Sequence, residues 1–173
     1  MKKIYITGIS GTGKSATAKE LEKRGIFAFS IDEIDGLCNW IDRKTQKIAN
    51  DYQPTLDWLN AHDWICDIEK LKQLLNTDKN VVIATGISTN QDEYLNLFDK
   101  IFLLQCSEKT FMDRMEHRHK KPNENSFGKH QAEREYAAAI YKDFEEKLLK
   151  LGAVSINAEN PIEVVADEII SKI

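Results

Sequence analysis

Gly8-Ile9-Ser10-Gly11-Thr12-Gly13-Lys14-Ser15 fits the pattern G-x-x-x-x-G-K-[ST] without a mismatch. Glycines let the backbone turn so that successive N–H groups, those of Ile9, Ser10 and Thr12 included, point into one concavity that suits a polyphosphate. The spacing assigns Lys14 to the β- and γ-phosphates and the Ser15 hydroxyl to Mg²⁺. A helix beginning near Gly13 brings its positive dipole end to the same spot, with Thr17 among the nucleotide-binding positions of its first turns. The flanks agree with this reading. Lys3-Ile4-Tyr5-Ile6-Thr7 has the β-branched and aromatic content of a strand. Ala16, Ala18 and Leu21 lie among charged residues as on a helix, which Gly25 ends. Strand, glycine loop and helix together predict a bound nucleoside triphosphate.

The chain has 173 residues, the size of a single domain with a proper core. Its 42% hydrophobic and 30% charged content is that of an ordinary globular protein. A net charge of −4 argues against a general nucleic-acid binder, since such domains are usually basic. No apolar run is long enough to span a membrane, and Met1-Lys2-Lys3 leads into a strand and not a signal sequence. Cys38, Cys66 and Cys106 are widely spaced and form no C-x-x-C pair. They read as reduced, structural thiols in a cytoplasmic protein, without a zinc site.

Outward from the loop, strands and helices alternate. Gly25–Ile31 is a nearly continuous apolar run, expected to be a strand buried on both faces. Asp32-Glu33-Ile34-Asp35 follows at the carboxyl edge of the sheet, where open α/β sheets bind ligands. The competing reading of Asp32 is a helix N-cap. Residues 37–65 hold Trp40, Trp58, Trp64, Tyr52 and Arg43 with poor periodicity, so short helices and loops are expected there. Ile68, Leu71, Leu74 and Leu75 mark one face of a helix. Val81–Thr85 reads as a strand closed by Gly86, Gln91–Phe98 as a short helix, and Ile101–Gln105 as a strand. A helix from Ser107 runs into the basic cluster Arg114, His117, Arg118, His119, Lys120 and Lys121. A polar segment Pro122–Gly128 interrupts it, and a long helix runs from Gln131 to Leu151. Ala153–Ile156 is a last strand, and Pro161 opens the final helix. The alternation predicts a doubly wound, three-layer α/β/α fold around a parallel sheet of about five strands.

On three features the chain resembles the P-loop small-molecule kinases, the group that holds nucleoside monophosphate kinases and shikimate kinase. These are Gly8–Ser15 with its flanks, the acidic Asp32-Glu33-Ile34-Asp35 after the second strand, and Arg114-Met115-Glu116-His117-Arg118 ahead of a polar loop. The resemblance implies one kinase domain over 1–173, with an acceptor-binding insert at about 33–76 and a lid at about 117–132. It implies phosphoryl transfer from ATP, with Mg²⁺, to a small-molecule acceptor. Catalysis would rest on positioning and on positive charge around the transferring group. Lys14, Arg114 and Arg118 would supply that charge, one arginine against the adenine and the other on phosphates, unless the pair is merely a solvated helix end. Asp32 would orient the acceptor hydroxyl and take its proton. Asp35, Arg43 and Gly86 complete the expected acceptor contacts, Arg43 because its fork pairs with two oxygens. Arg134 reads first as structural. The chain is expected to act as a monomer or homodimer.

Ile83-Ala84-Thr85-Gly86 carries no acidic residue at the strand end where many P-loop proteins have one. That departure argues against an adenylate kinase and a motor-type ATPase, while Thr85-Gly86 partly resembles the glycine turn of shikimate and gluconate kinases. A nucleoside monophosphate is slightly preferred as acceptor for the aromatic-rich insert. Shikimate-, gluconate- or dephospho-coenzyme A-like hydroxyl acceptors stand beside it, as does a non-catalytic ATP-binding regulatory module. A kinase of nucleic-acid ends ranks last on charge.

Overall fold

A computed structural model describes residues 1–118 and 127–173. β1 (Lys2–Thr7) passes through the glycine loop into α1 (Lys14–Lys23) and returns as β2 (Phe27–Ser30). An excursion follows, made of β3 (Cys38–Asp42), α2 (Leu56–Ala61) and β4 (His62–Cys66). α3 (Ile68–Leu75) leads into β5 (Val81–Thr85), and two 3-10 turns, Gln91–Glu93 and Leu95–Leu97, lead into β6 (Lys100–Gln105). α4 (Glu108–Arg118), α5 (Gln131–Lys150), β7 (Val154–Asn157) and α6 (Ile162–Lys172) complete the described chain. Residues 119–126, which include His119, Lys120, Lys121 and much of the expected lid, lie outside the described residues.

The main sheet has five strands in the order β2-β5-β1-β6-β7, every pair parallel. Alternation along β1 decides the layers. Ile4 and Ile6 point to one side with Ala18 and Leu21 of α1 and Val165, Ala166 and Ile169 of α6. Tyr5 points to the other, among Leu71 and Leu75 of α3, Leu148 of α5, Tyr94 and Leu95. The result is the expected three-layer α/β/α fold. β1 is central, and the chain winds first to β2 and β5 and then to β6 and β7. The crevice at its carboxyl end, where the winding reverses, is where Gly8–Ser15 sits.

Three expectations need correction. β2 is an edge strand paired only with β5, and its Phe27 is exposed, so the strand is not buried on both faces. Its apolar run reflects packing against α1 on one side and the following turn on the other. Gln91–Phe98 is a pair of 3-10 turns, which together carry Tyr94 and Leu95 into the core. Within the insert, β3 and β4 form an antiparallel hairpin where only short helices and loops were expected. Its register sets Cys38 against Cys66, Trp40 against Trp64 and Asp42 against His62.

Candidate active site

The glycine loop is locked by packing from outside. Gly11 has a positive φ of 90°, and a Cβ there would lie 2.5 Å from the Phe111 carbonyl oxygen. Phe111 of α4 is fully buried, so the loop rests directly on that helix. Within the loop, the Thr12 hydroxyl donates to the Ile9 carbonyl at 2.8 Å. Gly13, in the left-handed region, opens α1. The Thr17 hydroxyl donates to the Gly13 carbonyl at 3.0 Å and is turned into the helix.

Lys14 is buried over its own loop, with Nζ donating to the carbonyls of Gly8 at 2.7 Å and Ile9 at 3.1 Å. Burial lowers its pKa to about 8, the positive charge of Arg118 pushes the same way, and the Asp32 carboxylate opposes both. Lys14 is thus within electrostatic reach of both Asp32 and Arg118. Arg114, a turn earlier on α4, is within electrostatic reach of Cys106 and Glu159, and Cys106 in turn is within reach of Lys14.

Asp32 follows β2 in a turn that runs into β3, so no helix exists for it to cap. Trp64 Nε1 donates to Asp32 Oδ1 at 3.1 Å, and the Ile87 N–H reaches the same carboxylate. Gly86 makes that approach feasible, because a Cβ there would lie 2.2 Å from Ile31 Cγ1 and 3.3 Å from Asp32 Oδ2. Asp32 keeps a solvent-facing surface, yet the dense protein around it raises its pKa above the ordinary carboxylate range. Lys14 and the Trp64 N–H pull it partly back. Asp35 is exposed in the turn beyond.

The hairpin carries aromatic rings toward this edge. Trp40 stands 5.4 Å from Trp64, 5.2 Å from Trp58, 6.0 Å from Tyr52 and 6.5 Å from Phe127, centroid to centroid. Arg43 does not face the cleft with an open fork: Nε and Nη2 donate to Asp63 at 3.0 and 2.7 Å, and Nη1 donates to the Asn60 carbonyl at 2.7 Å. Arg134 donates to the carbonyls of Gly128 and Lys129.

Sequence reasoning passed over two features. Buried Glu133 accepts the N–H groups of Gly128 and His130 at 3.1 and 2.7 Å and also the Tyr52 hydroxyl. It thereby joins the insert to the start of α5. The spacing of His130 and Glu133, a helix start and its third residue, was the available signal. Second, Ser30 and Thr85 are register partners on adjacent strands, and both hydroxyls are buried with no hydrogen-bond partner among the described residues. A cavity of about 210 Å³ is lined by Ser15 and Ser30, among others. Among the described residues, no three His, Cys, Asp or Glu side chains gather into a metal cage.

A family profile described as an AAA domain matches residues 4–137. No curated protein matches the sequence. Among solved structures, a deoxyadenosine kinase from M. mycoides with bound dATP is 18% identical, with a TM-score of 0.57 and 98% of both chains covered. A shikimate kinase from Acinetobacter baumannii in complex with shikimate is 20% identical, with a TM-score of 0.59, covering 99% of this chain and 92% of that one. A gluconokinase from Sinorhizobium meliloti 1021 is 15% identical, with a TM-score of 0.56, covering 98% and 90%. At these identities the likeness is one of fold.

Proposed function

Taking as premise that the chain belongs to the AAA domain family, we propose that it transfers the γ-phosphoryl group of ATP to a hydroxyl of a small molecule. The observation that carries this reading is the glycine loop with buried Lys14 folded over it, and the Asp32 carboxylate, held by Trp64, within electrostatic reach of that lysine. The backbone of Gly8–Gly13 and the start of α1 would cradle the triphosphate. Filling the loop would draw the Lys14 ammonium from its own carbonyls onto phosphate oxygens. Arg118 would stabilise charge on the transferring group, and Arg114 would lie at the base end of the nucleotide. Mg²⁺, bound with ATP, would neutralise phosphate charge, and the Ser15 hydroxyl fits it as a ligand.

In the transfer, the acceptor oxygen attacks the γ-phosphorus in line, the bond to the β,γ-bridging oxygen breaks, and ADP departs. The hydroxyl proton passes to Asp32. Asp35 and Gly86 border the acceptor side of that carboxylate.

The same geometry favours a neutral, ring-bearing acceptor over a nucleoside monophosphate. Indole and phenyl faces of Trp40, Trp64 and Phe127 suit a ring. Arg43, the residue expected to grip an acceptor phosphate, has its fork already held by Asp63. An ADP-release assay over nucleosides, sugars, hydroxy acids and monophosphates tests both levels. Stimulation by neutral hydroxyl compounds is expected. Stimulation by monophosphates alone would reverse the acceptor class, and stimulation by nothing despite ATP binding would favour the regulatory-module reading that the carboxylate-free end of β5 suggests.

A further inference from the structure

Resting on that reading of the loop, we infer that the Ser30 and Thr85 hydroxyls form the protein's outer support for the nucleotide-bound divalent cation, in the place of a strand-end carboxylate. Three observations meet here. β5 ends in Thr85 and carries no acidic residue. Thr85 is opposite Ser30 in the parallel register, so both side chains leave the sheet on the same side. That side is the α1 side, since Ile83 and Ala28, two residues earlier on each strand, pack with Ala18 and Leu21 of α1.

Thr85 and Ser30 are 0% and 6% exposed, and among the described residues neither hydroxyl meets an acceptor or donor. A buried hydroxyl without a partner is costly, and threonine or serine at a solvent-excluded strand end is normally satisfied by a neighbouring carbonyl. With no partner among the described residues, the two hydroxyls are assigned to bound water or ligand. Ser30 opens onto the small cavity that Ser15 also lines, so the direction of supply is the cation position. Magnesium dehydrates reluctantly and keeps several waters when it binds with phosphates. Such waters are strong donors, and two neutral hydroxyl oxygens can accept from them without adding negative charge next to Asp32 and the triphosphate. Ser30 and Thr85 are thus positioning residues that act through water ligands.

The test measures ATP affinity by calorimetry with and without Mg²⁺, and Mn²⁺ affinity of the ATP complex by electron paramagnetic resonance. In the Ser30→Ala, Thr85→Val double variant, metal-free ATP affinity is expected to stay as in the wild type. The Mg²⁺ enhancement should fall about fivefold or more, with Mn²⁺ bound correspondingly more weakly. Thr85→Ser, which keeps the hydroxyl, should restore the coupling. Removing unpaired hydroxyls should leave the nucleotide-free melting temperature unchanged or higher, which separates this effect from loss of folding. Unchanged metal coupling in the double variant overturns the inference and leaves the kinase reading standing. A wild type whose ATP binding ignores divalent cations overturns both.

Discussion

Lys14 and Asp32 are displaced toward each other in pKa, and the displacement has a sign that experiment can read. Burial lowers Lys14 from the ordinary 10.5 to about 8 and raises Asp32 above the carboxylate range. Asp32 has to be ionised to take a proton, and Lys14 has to be charged to hold phosphate. Turnover at limiting ATP is therefore expected to rise with pH through the elevated Asp32 pKa and to fall above about pH 8. Bound polyphosphate restores the Lys14 proton, so ATP binding at pH 8 should take up about half a proton, with less at lower pH. Calorimetry in buffers of different ionisation enthalpy measures that uptake, and Lys14→Met should abolish it. For the nucleotide-free protein the same shift works in the alkaline direction. A lysine lowered by folding holds fewer protons than the unfolded chain between about 8 and 10.5, so stability grows across that window as pH rises. Gly11→Ala tests the packing of the loop. A left-handed backbone with a side chain costs about 1–2 kcal/mol and overpacking about 1–3 kcal/mol more, which corresponds to a fall in melting temperature of roughly 5–15 °C. The placement of Lys14 and Asp32 was legible in the sequence because motif spacing and strand-edge position are local properties. The Trp64–Asp32 hydrogen bond was not, since it spans 32 residues between elements whose approach only the fold decides.

Among the elements, the five parallel strands were legible because buried strands read as apolar runs bounded by turn residues. The β3–β4 hairpin was missed, and the cause is specific. Each of its strands mixes a cysteine and a tryptophan with asparagine, aspartate or histidine, so neither looks apolar. A signal was nevertheless present in residue order. The Cys-x-Trp of Cys38-Asn39-Trp40 recurs in reverse as Trp64-Ile65-Cys66, and antiparallel pairing sets cysteine against cysteine and tryptophan against tryptophan. The Tyr52–Glu133 contact then ties the region between those strands to α5. Tyr52→Phe should cost about 1–3 kcal/mol in chemical denaturation, as expected for a hydroxyl donating to a carboxylate. Faster hydrogen exchange is expected for β3 and β4 amides in that variant, with those of β1 unchanged. Uniform acceleration throughout the sheet would mean that the contact supports global stability and not the docking of the insert.

At the scale of the molecule, the loop, Asp32 and Gly86 belong to one crevice because β1, β2 and β5 end together at the carboxyl edge. Chain order alone suggested as much, since a doubly wound sheet opens where its winding reverses. The share of the site that stayed illegible comes from outside the sheet: Arg43 is held by Asp63, and Glu133 anchors both the insert and α5. Ligand linkage offers a whole-molecule check. ATP at a hundredfold excess over its dissociation constant should stabilise the fold by about 2.7 kcal/mol. The melting temperature should then rise by roughly 5–10 °C, and Lys14→Met should erase most of the rise.

All three tryptophans of the chain, Trp40, Trp58 and Trp64, lie between the start of β3 and the end of β4. Tryptophan emission therefore comes from residues 38–66 alone. Trp58 is stacked on His62 at 3.8 Å. Trp64 carries its indole N–H on Asp32, so its brightness is expected to follow the ionisation of that carboxylate. An acceptor entering beside Trp40 and Trp64 is expected to change the signal directly, and ATP only through Asp32. Donor and acceptor arrival are thus expected to separate optically in one unlabelled sample, with Trp64→Phe removing the part that reports on Asp32.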